Sequence, residues 1–182
     1  MNLAGRILRL FGWSVDISVP DYPKCIYCVA PHTSNWDFIL GELTIRSVGR
    51  KAGFLMKASW FFFPLGAIFK AIGGVPVERK NKTVSLTDVI VEKFNSTDKL
   101  AIAITPEGTR KRVTDWHTGF LRIARKANVP IILAKIDASA KKITITDTFT
   151  PTGNIDDDMA AIKAYYRGAQ GIRPENFSTD PS

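Results

Sequence analysis

Short apolar runs alternate with amphipathic segments along most of the chain. Runs with strand character, each bounded by turn residues, are KCIYCVA, GFLMK, KLAIAIT, PIILAKID and KKITITDTF. Between them, apolar residues recur at helical spacing near residues 37–49, 60–71, 83–95, 119–127 and 156–166. Strands that alternate with helices in this way predict an α/β domain, with a central, largely parallel (mixed) sheet flanked by helices.

The composition of individual strands predicts where each lies in the sheet. Residues 101–104 and 131–134 are apolar at successive positions, which is typical of central strands that are buried on both faces. The last strand instead alternates Ile143 and Ile145 with threonines, which predicts an edge. No repeat, linker or low-complexity block interrupts the pattern. We therefore predict a single domain over residues 1–182, with a flexible tail at 173–182.

Composition and charge narrow the class of protein. Of 182 residues, 45% are hydrophobic and 23% are charged, which is typical of a soluble globular protein and not of a disordered or polytopic membrane protein. The 25 Lys and Arg residues exceed the 17 Asp and Glu residues and give a net charge of +8. This balance favours anionic partners such as phosphate esters, nucleic acid or an acidic membrane surface. Because the sequence lacks recognised nucleic-acid motifs, we expect no nucleic-acid partner.

The two cysteines, Cys25 and Cys28, form a lone C-x-x-C pair. Such a pair can serve thiol redox chemistry or supply half of a zinc site. The sequence has no second cysteine pair to complete a zinc cage, and a buried strand would turn residues three apart to opposite faces, so we favour simple burial. Two cysteines and no cleavable secretory segment predict a reducing, cytoplasmic setting.

Two segments have alternative interpretations that the sequence leaves open. The N-terminal amphipathic segment, residues 1–20, places apolar residues on one helical face with arginines beside it. It can lie on a membrane surface or pack on the protein's own core. Residues 58–69 carry no charge and form either a buried core segment or a groove for a lipid chain. The candidate chain contacts in the second case are Trp60, Phe61, Phe62 and Phe63.

The turn after the first predicted strand carries a histidine and an aspartate. Pro31 ends the strand and Ser34 or Asn35 caps the next helix. His32 therefore falls at the carboxyl edge of the sheet, where open α/β sheets bind ligands. Asp37 lies in the first helical turn, from which its carboxylate can reach back to the imidazole. Such a pair can take a proton from a hydroxyl as a general base, and the alternative is a structural histidine beside a helix-start aspartate.

A second strand end offers groups that suit a phosphate monoester. In LAIAITPEGTRKR, Gly108 permits close approach to the backbone, while Thr109 and Arg110 supply a hydroxyl and a forked guanidinium. Arg79 follows a similar glycine run in GGVPVERK and is a second candidate anion contact. The alternative interpretation is a surface turn with solvated basic residues.

These features occur as four ordered blocks that resemble the glycerophospholipid acyltransferase family, which includes the lysophosphatidate acyltransferases. The first block is an H-x-x-x-x-D motif, matched by His32 and Asp37. The other three are a glycine-rich run into an arginine, a Pro-Glu-Gly-Thr-Arg turn and a Val-Pro-Ile strand, matched by Gly73, Gly74, Val77, Glu78 and Arg79, by Pro106 through Arg110, and by Val129, Pro130 and Ile131. The resemblance spans about residues 25–137 and departs from the family at Thr105, where an aromatic residue is usual, and at Glu78, where aspartate is common.

The resemblance implies transfer of a fatty acyl group from an acyl thioester, acyl-CoA or acyl-carrier protein, to the free hydroxyl of a lysophospholipid. The acceptor it implies is 1-acylglycerol 3-phosphate, which would give phosphatidate. His32 would be the general base and Asp37 its orienting partner. The edge that binds the acceptor's phosphate would comprise Arg79, Glu107, Gly108, Thr109 and Arg110. The resemblance implies no metal, no cofactor and no covalent acyl-enzyme.

Other functions stay open at this point. Phosphate-binding residues do not specify the rest of the headgroup, so a lyso-aminolipid or a lysophosphodiester is an alternative acceptor. A non-enzymatic, basic lipid-binding module is an alternative from a different class. Many relatives carry a longer hydrophobic region before the first motif, whereas 31 residues precede His32 here. We expect a cytoplasmic protein that associates peripherally with the inner membrane face through the N-terminal segment, residues 58–69 and its basic charge.

Overall fold

The computed structural model describes residues 2–71, 73–77 and 85–180, without the side chains of residues 56, 57, 60, 68 and 77. The helices in these ranges are α1 (Leu3–Leu10), α2 (Asn35–Ser47), α3 (Leu65–Ala71), α4 (Leu86–Asn95), α5 (Gly119–Ala127) and α6 (Ile155–Tyr166). The strands are β1 (Ser14–Ile17), β2 (Lys24–Ala30), β3 (Gly53–Lys57), β4 (Gly74–Val77), β5 (Leu100–Ile104), β6 (Ile131–Asp137) and β7 (Lys142–Phe149). Single 3₁₀ turns lie at Ala58–Trp60 and Pro174–Asn176.

The seven described strands form one sheet in the order β1-β7-β6-β2-β5-β3-β4. β6 and β7 are antiparallel, and the other neighbouring strands pair in parallel. The prediction of an α/β fold with a largely parallel, mixed sheet is therefore confirmed. β5 and β6 have neighbours on both sides, as their apolar composition predicted, and β2 lies between them. The chain that leaves β2 thus emerges from the middle of the sheet.

The two edges of the sheet differ from the prediction. The prediction that the last strand forms an edge is wrong, because β1 pairs in parallel with β7 and covers it. The opposite edge is β4, which contains Pro76. An edge strand accommodates proline because one side of its backbone needs no hydrogen bond.

Helices cover both faces of the sheet. On one face, the side chains of α1 and α2 join a core with Tyr27, Ile132 and Ile143 from the strands. On the other face, α4, α5 and α6 pack on Ile26 and Ile102. The expected helix at 60–71 is shorter than predicted, because the chain forms a 3₁₀ turn before Pro64 and α3 begins only at Leu65.

The cysteines lie on opposite faces of β2. Cys25 belongs to the core beneath α1 and α2, and Cys28 to the core beneath α4, α5 and α6. Both thiols are free and buried, and burial raises the pKa of each from 9.0 to about 12. A thiol that is protonated at neutral pH is a poor nucleophile, so the pair is a packing feature.

Helix α1 packs on the protein's own core and leaves part of its apolar surface exposed. Leu8 is 2% exposed and packs in the core beneath α1 and α2, so the helix is held on the protein body. Leu3, Leu10 and Phe11 are 73%, 82% and 65% exposed. The helix is therefore anchored on the core through Leu8, and together with its C-cap residue Phe11 it offers three large apolar side chains to its surroundings.

The C-terminal segment lies against the body of the protein as far as Asp180. The Arg173 backbone N–H donates to Thr33 Oγ1 at 3.1 Å. The Phe177 ring packs on Trp116, with 6.0 Å between ring centroids, and Ser178 is buried. The tail that the sequence predicts to be flexible at 173–182 thus makes specific contacts through 180, and residues 181–182 lie outside the described residues.

Candidate active site

Residues 31–34 connect β2 to α2 at the carboxyl edge of the sheet, and we call this connection the His32 loop. Ser34 is the N-cap of α2, and its Oγ accepts a hydrogen bond from the Trp36 backbone N–H at 3.3 Å. Asp37 completes the capping box, because its Oδ2 accepts from the Ser34 N–H at 2.7 Å. The capping box holds the Asp37 carboxylate against the loop that carries the histidine.

His32 and Asp37 are brought together as the sequence predicts. His32 Nδ1 lies 3.8 Å from Asp37 Oδ2, which also accepts the Thr33 backbone N–H. This separation exceeds a hydrogen bond, although catalytic hydrogen bonds are often long in unliganded sites and shorten when substrate binds. Asp37 is 2% exposed, and its Oδ1 has no hydrogen-bond partner in the described ranges. A buried carboxylate in this position favours the tautomer whose proton is on Nδ1, the nitrogen that faces the carboxylate. The other ring nitrogen, Nε2, is then free to accept a proton.

Glu107 holds the His32 loop in place through a hydrogen bond to its backbone. The side chain is 4% exposed, and its Oε1 accepts the His32 backbone N–H at 2.9 Å. Burial raises the pKa of the Glu107 carboxyl from 4.5 to about 7. Sequence reasoning placed Glu107 on the edge that binds a phosphate, whereas its contact lies inside the protein. A buried carboxyl group that carries this backbone hydrogen bond orients the His32 loop and offers no attraction to an anion.

The turn after β5 requires a glycine at its centre. Gly108 has a φ of +65°, in the left-handed region that favours glycine. A Cβ there would also lie 2.4 Å from His117 Cδ2, which leaves no room for a side chain. The Thr109 hydroxyl oxygen accepts the Lys111 backbone N–H at 3.3 Å, and the Arg110 side chain is exposed. The turn thus presents Arg110 at the same sheet edge as the His32 loop.

An apolar cavity of about 330 Å³ lies between α2 and the sheet, and His32 is part of its wall. Phe38 and Gly41 line it from α2, and Phe54 lines it from β3. The Phe38 and Phe54 rings contact each other edge to face, with 4.8 Å between their centroids. Isoleucines from β6 and β7 also line the cavity, namely Ile136, Ile143 and Ile145. Its size and apolar walls are typical of a site for an apolar ligand.

A second, polar pocket of about 390 Å³ lies beside the His32 loop, and we call it the cationic pocket. The His32 loop and the first turn of α2 form one wall, and Arg110 and Lys111 form another. Arg173 and Asn176 of the C-terminal segment complete it. The His32 loop therefore adjoins an apolar cavity and a cationic pocket at once.

A sequence model of the Acyltransferase family matches residues 18–136. This range contains every described element from β2 to α5 and most of β6. The chain belongs to the acyltransferase family. No curated protein matches its sequence. The fold is similar to the crystal structure of the 1-acyl-sn-glycerophosphate (LPA) acyltransferase PlsC from Thermotoga maritima, with a TM-score of 0.60 and 18% identity. That similarity covers 90% of this chain and 75% of the other, and it concerns the fold.

The electrostatics of the acyltransferase's site keep His32 in its neutral form at physiological pH. Burial lowers the pKa of His32 below its ordinary 6.5. The Asp37 carboxylate acts in the opposite direction, and the positive charge of Arg110 adds to the lowering. Burial also raises the pKa of Asp37 above its ordinary 3.8, while its hydrogen bonds to the Ser34 and Thr33 N–H groups oppose this effect. A neutral imidazole is the form that can accept a proton.

Several predicted residues lie away from the apolar cavity of the acyltransferase. Phe61 packs on Phe69, with 6.0 Å between ring centroids, and Phe62 and Phe63 are exposed. The structure therefore does not bring these phenylalanines to the cavity beside His32. The Trp60 side chain and all of Arg79 lie outside the described residues.

Sequence reasoning missed the walls of the apolar cavity. Phe38, Gly41 and Ile45 all line it, and their i, i+3, i+7 spacing on α2 is a signal that was present in the sequence. The walls from β6 and β7 carry no comparable signal, because their isoleucines serve equally well as ordinary core residues. No helix in the described ranges is long and apolar enough to cross a membrane.

Proposed function

We propose that this acyltransferase moves a fatty acyl group from an acyl thioester to the free hydroxyl of a lysophospholipid, with 1-acylglycerol 3-phosphate as the acceptor and phosphatidate as the product. The observation that carries this proposal is the position of the His32 loop between an apolar cavity and a cationic pocket. The reaction joins an apolar acyl chain to an anionic acceptor, so both kinds of surface must meet at the reacting atoms.

In the proposed step, the acceptor hydroxyl attacks the carbonyl carbon of the thioester while His32 removes the hydroxyl proton. The tetrahedral intermediate then collapses, the carbon–sulfur bond breaks and the protonated imidazole returns the proton to the thiolate. The Asp37 carboxylate, 3.8 Å from His32 Nδ1, stabilises the imidazolium that exists between the two transfers. The acceptor hydroxyl is itself the nucleophile, so the mechanism needs no covalent acyl-enzyme.

The acyl chain of the donor occupies the apolar cavity in this proposal. His32 forms part of the cavity wall, so a chain lying along α2 would bring its thioester to the imidazole. The donor is acyl-CoA or acyl-carrier protein, since both present the same thioester to the cavity. The substrates themselves supply the chemistry, and we propose no metal or cofactor.

The acceptor's phosphate meets Arg110 and the turn that presents it. A guanidinium binds a phosphate through two parallel hydrogen bonds, and Gly108 lets the backbone of the turn approach closely. Glu107 acts differently in this proposal, because its buried side chain orients His32 through the loop backbone. Arg79 and the side chains at 60–63 stay predictions from the sequence.

The protein binds a membrane surface peripherally in this proposal, at the inner face. The apolar side chains that α1 leaves exposed lie beside Arg6 and Arg9, which are exposed as well. Apolar residues flanked by cations are typical of helices that lie in an anionic membrane interface. The net charge of +8 acts in the same direction.

The test compares acceptors at a fixed donor. The purified protein is given acyl-CoA or acyl-carrier protein with 1-acylglycerol 3-phosphate, a lysophosphodiester, a lyso-aminolipid or a monoacylglycerol, and the acylated product is measured. We expect 1-acylglycerol 3-phosphate to give the highest kcat/KM. Preference for a different lysolipid would change the acceptor, and turnover of phosphate-free acceptors alone would contradict the phosphate assignment.

A further inference from the structure

The cationic pocket has a wall that the family match does not include. The family model ends at residue 136, whereas Arg173 and Asn176 come from the C-terminal segment. These residues lie beside Arg110 and Lys111 and face the first turn of α2. The pocket is therefore assembled from two segments inside the family match and one beyond it.

The C-terminal segment is seated on the His32 loop by close contacts. The Arg173 backbone N–H donates to Thr33 Oγ1 at 3.1 Å. Gly171 lies so near that an added Cβ would be 2.5 Å from the same oxygen. Thr33 is 1% exposed, so the contact lies inside the protein. The backbone at residues 171–173 is thus positioned by the residue that follows His32.

The positive charges of the pocket have no acidic partner in the part of the chain that the structure describes. In residues 2–71, 73–77 and 85–180, the side chains of Arg110, Lys111 and Arg173 form no ion pair. The neighbouring Arg112, by contrast, pairs with Asp180 at 3.2 Å. Three unpaired cations around one cavity favour an anion with more than one negative charge.

We propose that Arg173 is a substrate-binding residue that supplies a second guanidinium to the acceptor's phosphate monoester, opposite Arg110. This inference rests on the proposed function, because it names a further contact for the same acceptor. The C-terminal segment then has two tasks: its backbone supports the His32 loop at Thr33, and its arginine binds the anion.

The acceptor's phosphate fits this pocket better than a phosphate of the donor. In 1-acylglycerol 3-phosphate, the attacking hydroxyl and the phosphate are on adjacent carbons, so the phosphate must bind close to His32. The cationic pocket shares the His32 loop, and the charge of Arg110 is near enough to lower the pKa of His32. The phosphates of the donor are separated from its thioester by the long pantetheine arm.

The test measures steady-state kinetics of Arg173→Ala and Arg173→Lys, with Arg167→Ala as the matched control. Arg167 is an exposed arginine at the end of α6 and does not line the cationic pocket. Arg173→Ala removes no backbone contact to Thr33, so folding should be preserved. We expect it to raise the acceptor's KM about tenfold to hundredfold and to leave the donor's KM unchanged. Arg173→Lys keeps the positive charge but loses the forked guanidinium, so its acceptor KM should lie between those of the wild type and Arg173→Ala.

A binding measurement separates this inference from the proposed function. Glycerol 3-phosphate is titrated into each protein by calorimetry, with no acyl donor present. Weaker binding to Arg173→Ala than to Arg167→Ala supports the inference even if the wild type acylates no lysolipid. An unchanged acceptor KM in an active Arg173→Ala enzyme would overturn it, as would equal binding of glycerol 3-phosphate by the two variants. A raised donor KM with an unchanged acceptor KM would assign the pocket to the donor and overturn the acceptor assignment.

Discussion

His32 depends on its surroundings for the protonation state that the proposed mechanism needs. Burial lowers its pKa below 6.5, and the positive charge of Arg110 lowers it further. An imidazole that is neutral at pH 7 can accept a proton, so the proposed base is in the required form before substrate binds. If the acceptor's phosphate binds Arg110 as proposed, it would neutralise that charge, and the pKa of His32 should then rise.

The direction of the Arg110 effect can be measured directly. The chain has two histidines, so the ring protons of His32 can be assigned by comparison with His32→Ala and followed by NMR over a pH titration. We expect a pKa below 6.5 in the wild type. Arg110→Ala removes a cation that disfavours imidazolium, so it should raise the pKa of His32. Arg122→Ala, an exposed arginine on α5, is the control. A pKa that falls or stays constant in Arg110→Ala would contradict the electrostatic account.

Glu107 should make stability depend on pH. Its carboxyl has a pKa of about 7 in the fold and 4.5 ordinarily, so the folded protein binds this proton more tightly than the unfolded chain. Its contribution therefore favours folding below about pH 4.5 and is lost as the pH rises to about 7, on the order of 3 kcal/mol.

Glu107→Gln tests this contribution. The glutamine keeps an oxygen that can accept the His32 backbone N–H and cannot ionise. The variant should therefore not lose this contribution as the pH rises. Its free energy of unfolding, measured in urea at several pH values, should gain on that of the wild type between pH 5 and pH 8. Equal pH dependence in the two proteins would show that Glu107 ionises freely. The motif made Glu107 easy to find in the sequence, but its role depends on a backbone contact that sequence cannot show.

Helix α2 carries the catalytic aspartate of the proposal at its start and lines the apolar cavity along its length. Gly41 lies in the interior of this helix, where an added Cβ would meet no other atom within 4 Å. A glycine in a helix interior lowers the stability of the fold by about 0.5–1 kcal/mol relative to alanine. The glycine therefore does not stabilise the helix, and the open space beside it is available to a bound acyl chain.

Gly41→Leu should fill part of the cavity without harming the fold. We expect a stability equal to or above that of the wild type, together with a loss of kcat/KM that grows with the length of the donor's acyl chain. Gly41→Ala is the matched control, since it adds the same helical preference with little volume. Kinetics with a series of acyl-CoA lengths makes the comparison. An equal loss for short and long chains would show that the chain lies elsewhere.

The elements that the sequence did not reveal are the short ones at the edges. β1 has four residues and lies in a segment whose dominant pattern is that of an amphipathic helix. Its partner is β7, more than 120 residues later in the chain, so no local signal marks the pair. β4 contains Pro76, which argues against a strand in sequence analysis and is tolerated at the edge where β4 lies. Both cases are tertiary pairings that local patterns do not encode.

At the scale of the whole molecule, exposed apolar side chains and positive charge act together. Leu10 is 82% exposed on the same helix as Arg6, on the face of the sheet opposite α5. We expect the protein to sediment with anionic vesicles, and binding to weaken as salt increases. Leu10→Ser and Arg6→Ala should each reduce binding, the second by about 1 kcal/mol at low salt. Arg122→Ala on α5 is the matched control, and equal loss in Arg6→Ala and Arg122→Ala would contradict binding through α1.

Large-scale features were more predictable than the assembly of the site. The alternation of buried strands with helices identified the fold, and the H-x-x-x-x-D and Pro-Glu-Gly-Thr-Arg motifs located the carboxyl edge where His32 and Arg110 meet. The place of Arg173 beside them was not predictable. It depends on how the C-terminal segment returns to Thr33, a contact between residues 140 positions apart. Contacts of that range follow from packing rather than from any local pattern.

The most direct test of the account compares the wild type with His32→Ala. Free thiol released from acyl-CoA or acyl-carrier protein is measured with and without 1-acylglycerol 3-phosphate in detergent micelles, and an unchanged unfolding midpoint confirms that the variant is folded. We expect release that depends on the acceptor and that falls about 10²–10⁴-fold in His32→Ala, as removal of a general base should cause. Wild-type turnover in a folded His32→Ala protein would remove His32 from the mechanism and contradict the account.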